Sequence, residues 1–396
     1  MSVWDDLVGQ EETVAVLRAA AEAAAAITRG EDVAVGSMAH SWLFTGPPGS
    51  GRSNAARALA AALQCATADD LGCGHCSACH NVLSGTHPDV HSVVPEGLSI
   101  SVAEMRGVVG TAARRPALGH WQVVVIEDAD RLTEQASNAL LKAVEEPPER
   151  TVFLLCAPST HPDDVSVTLR SRCRLVTLRT PPAVAVSRVL QDGGLDAATA
   201  DWAAAAGQGH IGRSRRLVRD EAARDRRREV LALPASMTSL RACLEAADHL
   251  VGATEAEAAA QTSDLDAEET EALQVALGAG GTGKGAVAAT RGTAGVLKDL
   301  ERRQRSRSTR AQRDALDRAL VDLAAFYRDV LLVHADSSVT PAHPDFADDV
   351  QAVALRIDSA GALRRMDAVL HCREALELNV KPRIAVEAMA AELRLP

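Results

Sequence analysis

The chain has 396 residues and a net charge of −11 at pH 7. This length allows two or three domains with sizeable cores, and the acidity disfavours strong sequence-independent binding of DNA by this chain alone. No apolar run approaches the ~20 residues of a membrane span, and the first residues lack the basic and then apolar pattern of a secretory signal. We therefore expect a cytoplasmic protein without a membrane partner.

The first informative motif is HSWLFTGPPGSGRS at residues 40–53. A strand-like apolar run, a glycine-rich turn and an alanine-rich helix in this order form a unit that binds phosphate groups. The P-loop pattern G-x-x-x-x-G-K-[ST] fits Gly46, Gly51 and Ser53, with Gly49 between them, but Arg52 replaces the lysine. The chain has only four lysines, so drift from lysine to arginine is one explanation. Loss of nucleotide hydrolysis is the other.

Half of the eight cysteines lie within fifteen residues, in the spacing C-x7-C-x2-C-x2-C: Cys65, Cys73, Cys76 and Cys79. Four thiolates this close together can surround one tetrahedral Zn²⁺. Disulfides are disfavoured in the cytoplasm, and four unrelated buried cysteines or a redox site are the weaker alternatives. Because four sulfurs leave no open ligand position, a zinc ion here is expected to be structural.

Two uninterrupted apolar runs, Gln122–Ile126 and Thr151–Ala157, are typical of buried parallel strands. The first ends in Glu127 and Asp128, where carboxylates beside a P-loop would hold Mg²⁺ and orient a water. The second is followed by Ser159, whose hydroxyl could reach a γ-phosphate. The order of these motifs predicts an α/β P-loop domain, a parallel sheet with flanking helices.

The rest of the chain is predicted to be helical after Pro181 and Pro182. We expect helices at 183–192, 196–206 and 211–232, and a mobile acidic interruption at 254–271. The GAGGTGKG run at 278–285 imitates a P-loop but follows a helical segment, so we interpret it as a loop between helices. We interpret His87–Asp89 as a turn rather than as a second metal site. Taken alone, Arg172 in the run LRSRC reads as an ordinary surface charge.

Together, these motifs resemble the delta-prime subunits of the bacterial DNA polymerase III clamp loader, which are AAA+ proteins. The resemblance covers residues 3–180 densely and in order, whereas the helical remainder matches in architecture only. It is carried by WDDLVGQ (4–10), the P-loop, the four cysteines, GTHPDV (85–90), the run EDADRLTEQASNALLKAVEEPP (127–148) and LRSRC (169–173).

The resemblance implies an AAA+ base at 1–180 with a zinc module at 65–79, a small helical lid at 181–234 and an all-α collar at 235–396. It implies a hetero-pentamer with gamma/tau and delta subunits, which uses ATP to place the sliding clamp on primed DNA during replication. The four cysteines would be zinc ligands. Arg172 would be an arginine finger in the ATP site of a neighbouring gamma/tau subunit, within the DNA polymerase III holoenzyme.

Three departures from relatives that hydrolyse ATP bear on the chain's own activity. Arg52 replaces lysine, Glu127 and Asp128 replace an Asp-Glu pair, and Arg213 stands one position late for the second sensor. These departures favour weak or absent hydrolysis, with binding of ATP and Mg²⁺ left open. The alternatives are an active gamma/tau-like ATPase, another AAA+ remodelling ATPase, or a zinc-dependent nucleic-acid-binding protein, which the net acidity disfavours.

Overall fold

The computed structural model describes residues 2–67, 70–277 and 286–395, with backbone only at 286–294. The GAGGTGKG run at 278–285 therefore lies outside the described residues. The chain divides into two compact units, Met1–Pro95 with Ser99–Arg215, and Glu96–Leu98 with Arg216–Pro396. The finer three-domain division stays a prediction. In the described part of the chain, no helix combines the length and apolar character needed to cross a bilayer.

The first unit is built on one parallel sheet. Its strands have the order β2-β3-β4-β1-β5, and every pairing is parallel. The three inner strands are buried along their whole length, as the apolar runs predicted. The strands are β1 (Ser41–Thr45), β2 (Val90–Val93), β3 (Gln122–Ile126), β4 (Thr151–Ala157) and β5 (Arg174–Thr177).

Successive side chains of the inner strands enter two different cores. Val123 and Val125 pack in a cluster on one face, whereas Val124 and Ile126 pack in a second cluster on the other. This confirms the predicted α/β P-loop fold with helices on both faces. The helices of this unit are α1 (Glu11–Thr28), α2 (Arg52–Gln64), α3 (Ser77–Leu83), α4 (Val102–Ala112), α5 (Glu134–Glu145), α6 (Val167–Arg170), α7 (Ala183–Asp192) and α8 (Ala197–Gly207).

The prediction of one helix over 211–232 is wrong. The chain forms α9 (Ile211–Arg219) and then α10 (Glu221–Ser236), with Asp220 between them. The Asp220 carboxylate accepts the N–H of Ala223 at 3.1 Å, which satisfies a free donor at the start of α10. Asp220 therefore serves as an N-cap and divides a segment that its composition alone made look continuous.

In the described residues of the second unit, helices are joined by loops and there is no β-strand. The expected interruption at 254–271 is wrong, because this segment lies inside a 37-residue helix. Thr254, Ala258 and Thr262 form a buried stripe at a spacing of four, and Arg307 pairs with Asp266 at 2.8 Å. The helices after α10 are α11 (Leu240–Ala276), α12 (Ala286–His334), α13 (Ala347–Ala354), α14 (Ser359–Glu377) and α15 (Pro382–Glu392).

A buried polar cluster joins α10 to the loop before α13. Arg227 donates to Asp345 at 2.6 Å and to Nδ1 of His343 at 2.9 Å. Because a guanidinium only donates, Nδ1 of His343 is the acceptor and its ring proton is on Nε2, which faces the carbonyl of Asp322 at 3.1 Å. Burial lowers the pKa of His343, and the charge of Arg227 acts in the same direction. His343 is therefore held neutral.

We predict that the stability of the chain falls as the pH drops below about 6.5, the ordinary pKa of histidine. Below that pH the unfolded state binds a proton at His343 that the folded state excludes, so acid favours unfolding. Urea unfolding followed by far-ultraviolet circular dichroism measures the effect. His343→Gln, whose amide can both accept and donate, should flatten this dependence, whereas His249→Gln at an exposed site should not. Equal pH profiles for both variants would contradict the assignment.

Candidate nucleotide and metal sites

The P-loop forms as the sequence predicts. β1 leads into Gly46, and α2 begins at Arg52 with Gly51 as its N-cap. Gly46, Gly49 and Gly51 have φ angles of 152°, 84° and 92°, a region that side chains with a Cβ rarely adopt. The loop therefore has the strand–turn–helix geometry of a phosphate cradle.

The middle of the loop is in close contact with His210. A Cβ on Gly49 would lie 2.6 Å from Cβ of His210, so only glycine fits at this position. His210 is held in place because its Nδ1 accepts the N–H of Arg213 at 3.3 Å, at the start of α9. His210, three residues before the Arg213 that stands one position late for the second sensor, thus packs directly on the P-loop.

Two buried polar atoms in this loop have no hydrogen-bond partner among the described residues, Oγ of Ser50 and Nη1 of Arg52. Such atoms are rare in folded proteins and indicate a missing partner. The hydroxyl and the guanidinium can both donate to a phosphate oxygen. These donors fit the phosphate of a nucleotide.

The acidic end of β3 is engaged by a basic side chain of the same unit. The side chain of Glu127 is 85% buried and forms an ion pair with Arg57 of α2 at 2.7 Å. It also accepts a hydrogen bond from the hydroxyl of Ser92 at 3.3 Å. Asp128 lies 3.9 Å from Nε of Arg131. The two carboxylates lie at the predicted strand end, but Glu127 is already neutralised by Arg57.

Asp130 follows these two acids along the chain. Burial raises the pKa of Asp130, and the negative charge of Asp128 adds to this, whereas the positive charge of Arg52 opposes it. Arg52 therefore shares an electrostatic environment with the acids after β3. Without a lysine in the P-loop, the guanidinium of Arg52 is the positive charge that this loop contributes to the site.

Ser159 lies just past β4, as predicted. Its hydroxyl donates to Asp164 at 2.6 Å and accepts the N–H of His161 at 2.9 Å. Both bonds are local to the loop. Ser159 is thus held at the same edge of the sheet as the P-loop, since parallel strands place their carboxyl ends together.

The four clustered cysteines converge on one point. Their sulfurs all lie within 4.8 Å of one another, and Sγ of Cys65 is 3.8 Å from that of Cys73 and 3.9 Å from that of Cys76. A tetrahedron of sulfurs at about 2.3 Å from a zinc ion has edges of about 3.8 Å. The donor set and its spacing therefore suit a tetrahedral metal ion.

The protonation chemistry of the cluster also suits a metal. Burial opposes the ionisation of Cys73, but hydrogen bonds from Thr67 and from backbone N–H groups lower the pKa of its thiol to about 6. Burial raises the pKa of Cys79 above the ordinary range. Metal binding requires thiolates and favours their ionisation, so Cys73 is ready to ligate and Cys79 would ionise with the metal.

The amino terminus packs against the loop that carries these cysteines. Nε1 of Trp4 donates to the carbonyl of Leu71 at 2.9 Å, and the N–H of Val3 donates to the carbonyl of Gly72 at the same distance. Trp4 is only 3% exposed. The start of the WDDLVGQ motif therefore holds the cysteine loop against the α/β unit.

The turn interpretation of His87–Asp89 is confirmed. The Asp89 carboxylate accepts the N–H groups of Ala117, Leu118 and Gly119 at 2.6–2.8 Å, and Nδ1 of His87 accepts the N–H of Asp89 at 3.2 Å. These bonds use the groups that a metal would need. They anchor the loop before β3.

Arg172 lies one turn past α6 at the surface, with 36% of its side chain exposed. Its Nη2 is 2.6 Å from Oε1 of Glu145, the last residue of α5. The sequence analysis missed this contact, and it also missed the contacts of Arg57 and His210. Each of them joins segments far apart in the chain, so no local pattern signals them.

The comparisons with known proteins converge on the first unit. Residues 25–182 match the family model described as DNA polymerase III, delta subunit. The delta′ subunit of Escherichia coli DNA polymerase III is 39% identical over 146 residues, 36% of this chain and 43% of that protein. The Pseudomonas aeruginosa delta′ subunit is 38% identical over 161 residues, 39% of this chain and 48% of that protein. The chain thus spans about half the length of these curated relatives.

The tau subunit of Bacillus subtilis DNA polymerase III is 31% identical over 43% of this chain and 28% of its own length. Among solved structures, a gamma subunit-related protein of Thermotoga maritima aligns with 90% of this chain and 94% of its own, at 17% identity and a TM-score of 0.37. That structural likeness is too low to support an argument. By its sequence matches, the segment 25–182 of this chain is similar to the delta′ subunits of DNA polymerase III.

Proposed function

We propose that this chain is the delta-prime subunit of a bacterial clamp loader. In this role it assembles with gamma/tau and delta subunits into a hetero-pentamer that loads the sliding clamp on primed DNA. The observation that carries the proposal is the family match over 25–182, a segment that contains the P-loop, the cysteine cluster and the run LRSRC. The match of related tau subunits to the same unit supports an assembly of similar AAA+ subunits.

We propose further that the chain itself hydrolyses ATP weakly or not at all. The geometry adds two reasons to the substitutions in the motifs. Glu127, at the position expected to hold Mg²⁺, is already paired with Arg57 at 2.7 Å, and His210 packs against Gly49 of the P-loop. Arg52 is a broad planar fork, which does not replace a compact lysine ammonium at a phosphate. Binding of ATP with Mg²⁺ without turnover is compatible with the unpartnered donors of Ser50 and Arg52.

We predict that the purified chain shows no ATP turnover above that of an Arg52→Ala control. The reason is that the lysine, the Mg²⁺-binding aspartate and the catalytic glutamate of active relatives are all replaced. A steady-state phosphate-release assay measures this. Robust turnover that Arg52→Ala abolishes would instead favour the active gamma/tau-like ATPase. The restored variant Arg52→Lys, Glu127→Asp, Asp128→Glu tests whether the three changes are sufficient for the loss.

We propose that Arg172 is the residue through which this chain takes part in catalysis. Its position at an exposed turn after α6 allows its guanidinium to reach another subunit. A guanidinium supplied in trans stabilises charge on a transferred phosphoryl group, which is worth about 10³–10⁵ in rate. The chain can therefore matter for ATP hydrolysis without hydrolysing ATP itself.

We predict that Arg172→Ala leaves assembly of the reconstituted clamp loader intact and lowers its DNA-stimulated ATPase. Several neighbouring ATP sites contribute to turnover, so a loss of about twofold to tenfold is expected even if one site loses a finger worth about 10³. The matched control is Arg170→Ala, two residues away, because Nη1 of Arg170 donates to the carbonyl of Thr160. Unchanged turnover in Arg172→Ala would remove the finger assignment.

We propose that the metal held by the four cysteines is zinc, in a structural role. Four sulfur ligands, a compact tetrahedral spacing and no open position are typical of structural zinc sites. Bound zinc would join the end of α2, where Cys65 lies, to α3, which contains Cys79. Because metal binding is coupled to folding of the segment that carries the ligands, the metal would add to the stability of this loop.

We predict one zinc ion per chain, measured by mass spectrometry of metals in the purified protein. Cys76→Ser should lose most of this zinc and increase protease cleavage within residues 65–85, because three thiolates bind zinc more weakly and the loop loses its cross-link. Cys173→Ser is the matched control, since Cys173 lies outside the cluster, and it should retain the metal. A native protein without zinc, or with a disulfide among these cysteines, would contradict the proposal.

A further inference from the structure

Three acceptors surround the guanidinium of Arg172. Its Nη1 donates to the carbonyl of Thr168 at 2.9 Å and to Oγ of Ser171 at 3.2 Å. Its Nη2 lies 2.6 Å from Oε1 of Glu145. The backbone carbonyl and the hydroxyl come from the same short turn as Arg172 itself, so Glu145 is the only one of the three acceptors that comes from a different element.

The two neighbouring arginines do not share this arrangement. Arg170 donates to the carbonyl of Thr160 at 3.1 Å. Arg174 lies over the ring of Trp42 at 4.9 Å and donates to the carbonyl of Gly36 at 3.5 Å. Within the described residues, Arg172 is therefore the one arginine of this run that faces a carboxylate. The pairing is specific to the residue that we propose as the finger.

Glu145 is held in a defined position. It is the last residue of α5. The preceding residue, Val144, is buried, with 5% of its surface exposed. Two prolines, Pro147 and Pro148, follow closely and end the helix. A contact of 3.4 Å between Oγ of Ser137 and Oγ of Ser166 joins α5 to the start of α6. The Ser137 contact fixes the start of α5, whereas Glu145 lies at its other end, next to the buried Val144.

Stability does not explain such a pair. The side chains of Arg172 and Glu145 are 36% and 43% exposed, and exposed ion pairs contribute little to folding. Orientation is a different matter, because a guanidinium has five N–H donors in a rigid plane. With Nη1 and one side of Nη2 engaged, the plane of the guanidinium is defined, and Nε–H has no acceptor among the described residues.

We infer that Glu145 is a positioning residue for Arg172, and that its carboxylate fixes the orientation of the guanidinium toward the neighbouring subunit's nucleotide. This inference rests on the proposed role of Arg172 as a finger in trans. Pre-organisation by a second side chain reduces the orientational freedom that would otherwise be lost when the finger engages a phosphate. The run EEPP at the end of α5 would then act on catalysis through Arg172.

The test uses the reconstituted clamp loader with primed DNA and sliding clamp, and compares kcat and KM for ATP. Glu145→Gln keeps an oxygen acceptor but removes the charge, and Glu145→Ala removes both. We expect kcat to fall by about twofold or less in Glu145→Ala, which is a smaller loss than in Arg172→Ala because the guanidinium is still present, and to fall least in Glu145→Gln. KM for ATP should be unchanged, because the finger acts on the reacting phosphate rather than on nucleotide affinity.

Two comparisons separate positioning from general damage. Glu146→Gln, at the exposed residue next to Glu145, should keep wild-type turnover. In an Arg172→Ala background, Glu145→Ala should cause no further loss, since there is no guanidinium left to position. A loss that persists in this background would overturn the inference, as would wild-type or faster turnover in Glu145→Ala. If Arg172→Ala alone has no effect, the finger proposal itself fails and the inference falls with it.

Discussion

The hydrogen bonding of β1 between β4 and β5 determines where the rest of the first unit's site lies. β1 comes early in the chain, yet it occupies an inner position of the sheet. The N–H of Gly46 therefore donates to Pro158 just after β4, and the N–H of Leu178 just after β5 donates to Thr45. This brings the P-loop beside the ends of strands that the chain forms more than 100 residues later. If this pairing shifted, the P-loop, Ser159 and the acids after β3 would no longer share one edge.

At that edge, positive and negative groups are compensated inside the chain. Arg57 neutralises Glu127 at 2.7 Å, and the charge of Arg52 acts on Asp130. An ATPase needs the corresponding carboxylates for Mg²⁺ and water. The pairing of Glu127 with Arg57 and the contact of His210 with Gly49 both act at motifs that depart from those of ATP-hydrolysing relatives. The chain keeps the shape of a nucleotide site, while Glu127, one of the carboxylates expected to hold Mg²⁺, is already paired with Arg57.

Several loops of the first unit are held by residues that are distant in the chain. The amino terminus holds the cysteine loop through Trp4, and Asp89 holds the loop at 117–119 through three N–H groups. Glu145 holds Arg172 in the same manner. Each contact joins two segments that are separated in the chain, and such a contact can give a side chain a defined direction.

The sequence by itself determined the elements and the chemistry that depends on spacing. Apolar runs located β1, β3 and β4, because strands buried on both faces need continuous apolar residues. The close spacing of the cysteines predicted a cluster, and the four sulfurs do lie close together. Two cysteines only three positions apart in the chain place their sulfurs near each other in most loop conformations. Composition did not predict the structure of the acidic segment 254–271. This segment is helical because Arg307 and a stripe of buried residues stabilise it. Asp220 divided a predicted helix by capping.

Only the tertiary structure decided which charges meet. Arg57 and Glu127 are 70 residues apart in the chain, and Gly49 and His210 are more than 150 apart. Side-chain pairs of this kind depend on strand order and helix placement, which no local pattern encodes. The sequence therefore determined which groups are present at the P-loop, the cysteine cluster and Arg172. The fold determined which of them are already paired, because only folding fixes their distances.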